Sequence, residues 1–141
     1  MKLFPIKENY LFQKAYKNGT RATSRALSVY VMRDRNAVLI KKANPQGDYL
    51  NRIGISASKK IGGAVQRNRA KRVVREAYRQ IGKERTLKKG YLVVIALRVP
   101  ATVLKMQEVK RDLHYCLKRC GMYLEETAAS ENKGVTTDNE A

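Results

Sequence analysis

Between residues 59 and 79 the chain reads KKIGGAVQRNRAKRVVREAYR, with Lys59, Lys60, Arg67, Arg69, Lys71, Arg72, Arg75 and Arg79 against one acid, Glu76. At about 100° per residue, Arg67, Asn68, Lys71, Arg72, Arg75 and Arg79 fall within an arc of roughly 140°, while Ala70, Val73, Val74, Ala77 and Ile81 fill a separate arc of about 100°. A helix divided in this way buries one side in a core and turns the other outward. The outward band of guanidinium and ammonium groups repels itself unless a polyanion neutralises it, and the polyanion that fits is a nucleic acid. A merely solvated helix face mixes signs so that i,i+4 pairs offset one another; here only Arg72 and Glu76 are spaced for such a pair.

The charge of the whole chain agrees with this. Its 141 residues carry a net +18, and 43% of them are hydrophobic, enough for the modest core of one domain. Residues 125–141 hold Glu125, Glu126, Glu131, Asp138 and Glu140 against Lys133, a net of −4, which leaves +22 on residues 1–124. The expected division is a basic folded domain, 1–124, followed by an acidic, disordered tail, 125–141, whose plain role is solubility and which would compete weakly with phosphate. No apolar run approaches the ~18 residues of a membrane span, and no signal-peptide pattern is visible. Cys116 and Cys120 lie one helical turn apart, a poor geometry for a disulfide. The expected compartment is therefore the cytoplasm.

Along the chain, residues 7–18 read as a short helix stopped at Asn18–Gly19, with Gly19 available for a left-handed cap. Leu11 and Ala15 form one apolar stripe and Phe12 and Tyr16 a second, one for the body and one bordering a groove. Residues 27–33 alternate as a strand, with Leu27, Val29 and Val31 opposite Ser28, Tyr30 and Met32. Residues 38–41 suggest a further short strand, and 43–51 a loop. Residues 53–58 alternate again, Ile53, Ile55 and Ala57 opposite Gly54, Ser56 and Ser58. The basic helix then runs from Gly62–Gly63 to about Ile81, and the apolar run YLVVIAL at 91–97 reads as a central strand covered on both faces. After Pro100 a last helix is expected from 102 to 123, its stripe being Val103, Met106, Val109, Leu113, Leu117, Cys120 and Leu124. The order αβ(β)βαβα implies an α+β sandwich, helices on a small mixed sheet.

Catalysis by the protein itself finds little support. The acids of residues 1–124 are Glu8, Asp34, Asp48, Glu76, Glu84, Glu108 and Asp112, none in a close pair suited to two-metal phosphodiester chemistry. The sole histidine, His114, lies two residues from Cys116 on another side of its helix, a structural position rather than a metal ligand. No nucleophile–base arrangement and no phosphate loop is visible. Binding groups are richer. Phe12, Tyr16 and Tyr30 supply flat rings beside basic surface, as in proteins that stack unpaired bases, although rings of this kind fill cores equally well. Ser56 and Ser58 point off one strand face near Lys59 and Lys60. Gly62–Gly63 either permits close backbone approach at a helix N-terminus or makes a plain turn.

The segment Arg67-Asn68-Arg69-x-Lys71-Arg72-x-x-Arg75, preceded by Ser58-Lys59-Lys60-x-Gly62-x-Ala64-Val65, resembles the signature helix of the protein subunit of bacterial ribonuclease P. Phe12-Gln13-Lys14-x-Tyr16-x-x-Gly19, Tyr30, and the 91–97 strand followed by Pro100 and a helix extend the resemblance over about residues 6–123. It implies a fold similar to domain 2 of ribosomal protein S5, with a left-handed βαβ crossover where general rules favour the opposite hand. It also implies a holoenzyme in which the RNA subunit, with Mg2+ held mainly by RNA, hydrolyses the 5′ leader from precursor tRNA, while one protein chain binds one RNA. By position, Arg67, Asn68, Arg69, Lys71, Arg72 and Arg75, with Arg79 on the same band, would contact the catalytic RNA and help organise metal. Phe12, Tyr16, Tyr30, Ser58, Lys59 and Lys60 would line the leader cleft. Residues 36–51 form a longer connection than the family's, and the tail lies outside its pattern. Two other classes suit a basic chain. A structural RNA-binding protein, such as a ribosomal protein, needs the basic helix but no ring-lined channel. A DNA-binding regulator would want a helix-turn-helix pair or a dimer seam, and neither is present.

Overall fold

The apolar run 91–97 becomes the middle strand of a five-stranded sheet. The computed structural model describes residues 4–35, 42 and 51–124. In chain order these form β1 (Phe4–Pro5), α1 (Asn9–Asn18), β2 (Thr20–Thr23), β3 (Leu27–Arg33), β4 (Arg52–Ser56), a short helical turn (Lys59–Ile61), α2 (Ala64–Glu84), β5 (Tyr91–Leu97), a second such turn (Val99–Thr102) and α3 (Met106–Arg119). The strand expected at 38–41, the loop at 43–50 and the tail at 125–141 lie outside the described residues.

The strands lie side by side in the order β1-β4-β5-β3-β2. β1, β4 and β5 are parallel; β3 and β2 are antiparallel to their neighbours. Because side chains alternate across a sheet, β5 feeds both faces. Val93, Ile95 and Leu97 join Leu27, Val29 and Val31 of β3 under α2 and α3, while Leu92 and Val94 lie under α1. The result is the expected α+β sandwich: one helix on one face, two on the other, with α2 linking the adjacent parallel strands β4 and β5.

Several boundaries differ from the sequence reading. β1 is two residues long, and β2 is an edge strand with only Ala22 buried, so neither carries an apolar alternation to announce it. Gly19 ends α1 in extended rather than left-handed backbone. Glycine is still required there, because a Cβ would lie 2.6 Å from the Ala15 carbonyl oxygen. The last helix is shorter than expected at both ends. Pro100 sits in a separate turn ahead of it, and Gly121 (φ 74°) closes it in the left-handed region. The Gly121 N–H donates to the Lys118 carbonyl and the Met122 N–H to that of Leu117, both at 3.0 Å, the paired closure that a glycine at this position allows. Val103 and Leu124, expected in the buried stripe, fall outside the helix and are exposed, and Cys116 is buried instead.

Cys116 and Cys120 are free thiols. Burial pushes both upward, Cys120 to about 12. Since the thiolate is the reactive species, neither should label with a disulfide reagent at about pH 8 until denaturant is added. Fast labelling of the native chain would contradict the packing described here.

Candidate nucleic-acid interface

α2 starts after a glycine pair of which only one member is demanded by the backbone. Gly62 has φ 152° and ψ −177°, whereas Gly63 has an ordinary extended conformation as the helix N-cap. The Gly63 N–H is taken by Gln66 Oε1 at 2.6 Å, so the helix entrance is partly closed by its own side chain. Ala70, Val74, Ala77, Tyr78 and Ile81 are buried against the sheet and α3. Tyr78 is the departure: it projects between Arg67 and Lys71 on the helical wheel, yet it is 1% exposed. Core packing thus claims one edge of the cationic arc. Lys71 and Arg67 are half-buried, and Arg67 Nε is buried without a hydrogen-bond partner among the described residues.

The open centre of the face is made by Asn68, Arg72 and Arg75, all exposed, with half-buried Arg79 beside them. Glu76 pairs with Arg79 at 3.4 Å rather than with Arg72, and both side chains are over 40% exposed, so the pair neutralises little. Arg69 lies outside the band: its Nη1 donates to the Thr102 carbonyl at 3.2 Å and ties α2 to the turn before α3.

On the opposite face of the sheet, Phe12 and Tyr16 of α1 meet Tyr30 and Met32 of β3 as a half-buried cluster over Leu11, Ala15, Leu92 and Val94. The Tyr16 and Tyr30 rings stand edge to face at 4.9 Å and 76°. Tyr16 Oη donates to Ser56 Oγ at 2.9 Å, fixing the ring against β4. Phe12 approaches β4 so closely that a Cβ on residue 54 would come within 2.5 Å of its Cζ, which is why a glycine stands in the strand there. Ser58 falls past the end of β4, not on the strand face with Ser56. It precedes the turn bearing Lys59 and Lys60, all three exposed, and buried Ile61 anchors that turn. The structure therefore brings Phe12, Tyr16 and Tyr30 together and sets Ser58, Lys59 and Lys60 just beyond the end of β4, the strand against which Tyr16 is fixed. The same short turn leads directly into α2.

A buried ion cluster, with no local signal in the sequence, ties the start of β4 to the end of β3 and reaches the N-cap of α1. Arg52, 8% exposed, donates Nε to Asp34 Oδ2 at 2.7 Å and Nη2 to Asp34 Oδ1 at 2.9 Å. Its Nη1 reaches Glu8 Oε1 at 3.1 Å, at the N-cap of α1. The hydrogen bonds from Arg52 to Asp34 raise the guanidinium above its ordinary value against the cost of burial. An arginine at the start of an apolar strand, 18 residues from its partner, gives no local signal of this.

Among the described residues no group of three His, Cys, Asp or Glu side chains could hold a metal ion. Glu76, the only acid on the open helix face, is engaged by Arg79. These residues do not fit a protein-held Mg2+. His114 is half-buried, with Nδ1 2.7 Å from Tyr123 Oη, a structural contact. No described helix is long and apolar enough to cross a membrane.

Comparison with known proteins matches this geometry. The family model described as Ribonuclease P covers residues 2–121. The ribonuclease P protein component of Bacillus pumilus (strain SAFR-032) is 33% identical over 125 residues, 89% of this chain and 94% of that protein. That of Macrococcus caseolyticus (strain JCSC5402) is 35% identical over 117 residues, 83% of this chain and 90% of that protein. Among solved structures, the RNase P protein of Staphylococcus aureus is similar with a TM-score of 0.66 at 28% identity, over 87% of this chain and 100% of that one. The RNase P protein of Thermotoga maritima, at 21% identity, has the same fold, with a TM-score of 0.58 over 82% of this chain and 94% of that one. With an open cationic helix on one side of its sheet, a half-buried cluster of rings on the other, a family model matching residues 2–121 and relatives about one-third identical over most of its length, the chain belongs to the ribonuclease P protein family.

Proposed function

We propose that this chain, the protein subunit of an endoribonuclease holoenzyme that matures tRNA 5′ ends, uses its two surfaces for two RNAs. The open face of α2, centred on Asn68, Arg72 and Arg75 and flanked by Arg67, Lys71 and Arg79, docks on the catalytic RNA. Arg69 contributes from the side, where it also braces the turn at Thr102. The groove of Phe12, Tyr16 and Tyr30 stacks unpaired leader bases of precursor tRNA, and Ser58, Lys59 and Lys60 take phosphates where the groove opens toward α2. One protein chain serves one RNA in the cytoplasm, with Mg2+ held mainly by the RNA.

The observation that carries this reading is that β4, whose Ser56 holds the Tyr16 ring, runs on through the Lys59–Ile61 turn into the basic helix at Ala64. A scaffold protein would need only the helix. Tyr30→Ala tests it in holoenzyme reconstituted with a bacterial ribonuclease P RNA. A stacked base contributes about 1–3 kcal/mol, so affinity for precursor tRNA should fall about tenfold while affinity for mature tRNA holds. Equal losses for both RNAs would place Tyr30 outside the leader path.

A further inference from the structure

A second basic concavity lies at the other end of the sheet from the 59–61 turn. It has a volume of about 700 Å³ and is lined by Arg33, Arg35, Lys88, Lys89, Tyr91 and Leu124, among others. Arg33 sits over the Tyr91 ring, 5.7 Å from its centroid. Among the described residues the one acid at its wall, Asp34, is already bidentate to Arg52. No carboxylate pairs with Arg33, Arg35, Lys88 or Lys89 among the described residues.

The loop that carries the lysines is not a loose charge run. Asn51, itself buried, donates Nδ2 to the Lys88 carbonyl at 2.7 Å and accepts the Tyr91 N–H at 2.9 Å. The Asp34 N–H donates to the Gly90 carbonyl at 2.9 Å, the Lys88 N–H to that of Met122 at 2.7 Å, and the Leu124 N–H to that of Thr86 at 2.8 Å. Gly90 holds φ 87°, a turn conformation that side chains disfavour. Backbone pinned from three directions keeps like charges converging on one hollow, which is costly unless an anion occupies it.

This hollow shares part of its lining with a cleft that reaches the edge of the ring cluster. Arg33, Asp34 and Arg35 also line a smaller cleft with Tyr10, Lys14 and Met32, and Met32 belongs to the cluster of Phe12, Tyr16 and Tyr30. From Tyr30 to Arg33 along β3 is about 10 Å. We infer that the trough seats the ribose–phosphate backbone of leader nucleotides upstream of those in the groove, so that a long leader passes Lys14 and Arg35 and rounds the end of β3 onto Lys88 and Lys89. The inference rests on the groove being the leader path.

The test is the reconstituted holoenzyme with the full chain and precursor tRNAs carrying leaders of roughly 5 and roughly 15 nucleotides. Lys88→Gln with Lys89→Gln should cut affinity for the long-leader substrate about fivefold and make its log affinity against log salt shallower by about 1.4, since each single-strand phosphate contact contributes ~0.7. Short-leader affinity should stay within about twofold, and an unchanged unfolding midpoint checks the fold. Equal losses on both substrates would assign the trough to the catalytic RNA or the tRNA body and overturn the inference, as would no loss on either. If removal of residues 125–141 raises long-leader affinity only while Lys88 and Lys89 are present, the chain's own acidic segment fills the trough, and the inference falls. Tyr30→Ala keeps the two readings apart: it should weaken both precursors. Without that effect the groove itself is wrong; with it, a silent lysine variant sinks only the trough.

Discussion

Arg52→Ala is expected to lower the unfolding free energy by about 3–5 kcal/mol, because it leaves the Asp34 carboxylate buried without its partner. The side chains of Arg52 and Asp34 are 10% and 3% exposed, so solvent cannot easily take over. Glu8, at 39%, adds little. A domain of this size has about 5–15 kcal/mol in all, and the loss corresponds to a fall in Tm on the order of 20 °C. The double change Arg52→Met with Asp34→Leu should recover most of it, since removing both charges removes the uncompensated one. Denaturant unfolding of the three proteins checks this. A loss below about 1 kcal/mol for the single change would mean that water reaches Asp34 and that the pair does not hold the end of β3 to the start of β4.

The second large effect is on RNA. Arg72→Ala with Arg75→Ala removes two exposed cations that touch no core residue, so the fold should be unaffected. Hydrogen bonds to charged groups contribute about 1.5–3 kcal/mol each. Losing two should weaken binding to the catalytic RNA by on the order of a hundredfold at low salt, and the salt slope should become shallower by about 1.4–1.8. Titration of labelled RNA at several salt concentrations reads both quantities. An unchanged slope would show that this face meets no phosphates. Arg67 is the weaker choice for such a test. Its Nε is packed into the body, and its loss would mix stability with binding.

The difference between Arg67 and Arg72 marks how far the sequence could be read. Patterns that depend on a residue's own neighbours along the chain were legible. The alternation of Leu27, Val29 and Val31, the two stripes of α1, and the apolar run 91–97 all appear as read. The division of α2 was legible too, except at Tyr78. A phenol can be core or surface, and only the position of α3 and the sheet decides which. Features made by residues far apart were not legible. Arg52 reads as a surface cation until Asp34 and Glu8 are placed beside it. Gly54 reads as a weak strand residue until Phe12 is seen lying on it. Gly121 is a visible stop signal, but the apolar period running through Cys120 to Leu124 masks it. The three aromatic rings stood equally well for core or groove. The structure leaves each of them half-buried, packed against the α1 side of the core.

The turn at Lys59–Ile61 has a further bearing on how cleavage would be positioned. It joins the last residue of β4, against which Tyr16 is fixed, to the first turn of α2 within a handful of residues, with Ile61 sunk into the core. Under the proposed function, the two surfaces would then be joined by a short stretch of chain with a buried anchor. A leader held on one side and the catalytic RNA on the other would be kept at a set separation by covalent chain length. The protein would act as a gauge between them, its backbone setting the distance from the held nucleotides to the scissile bond.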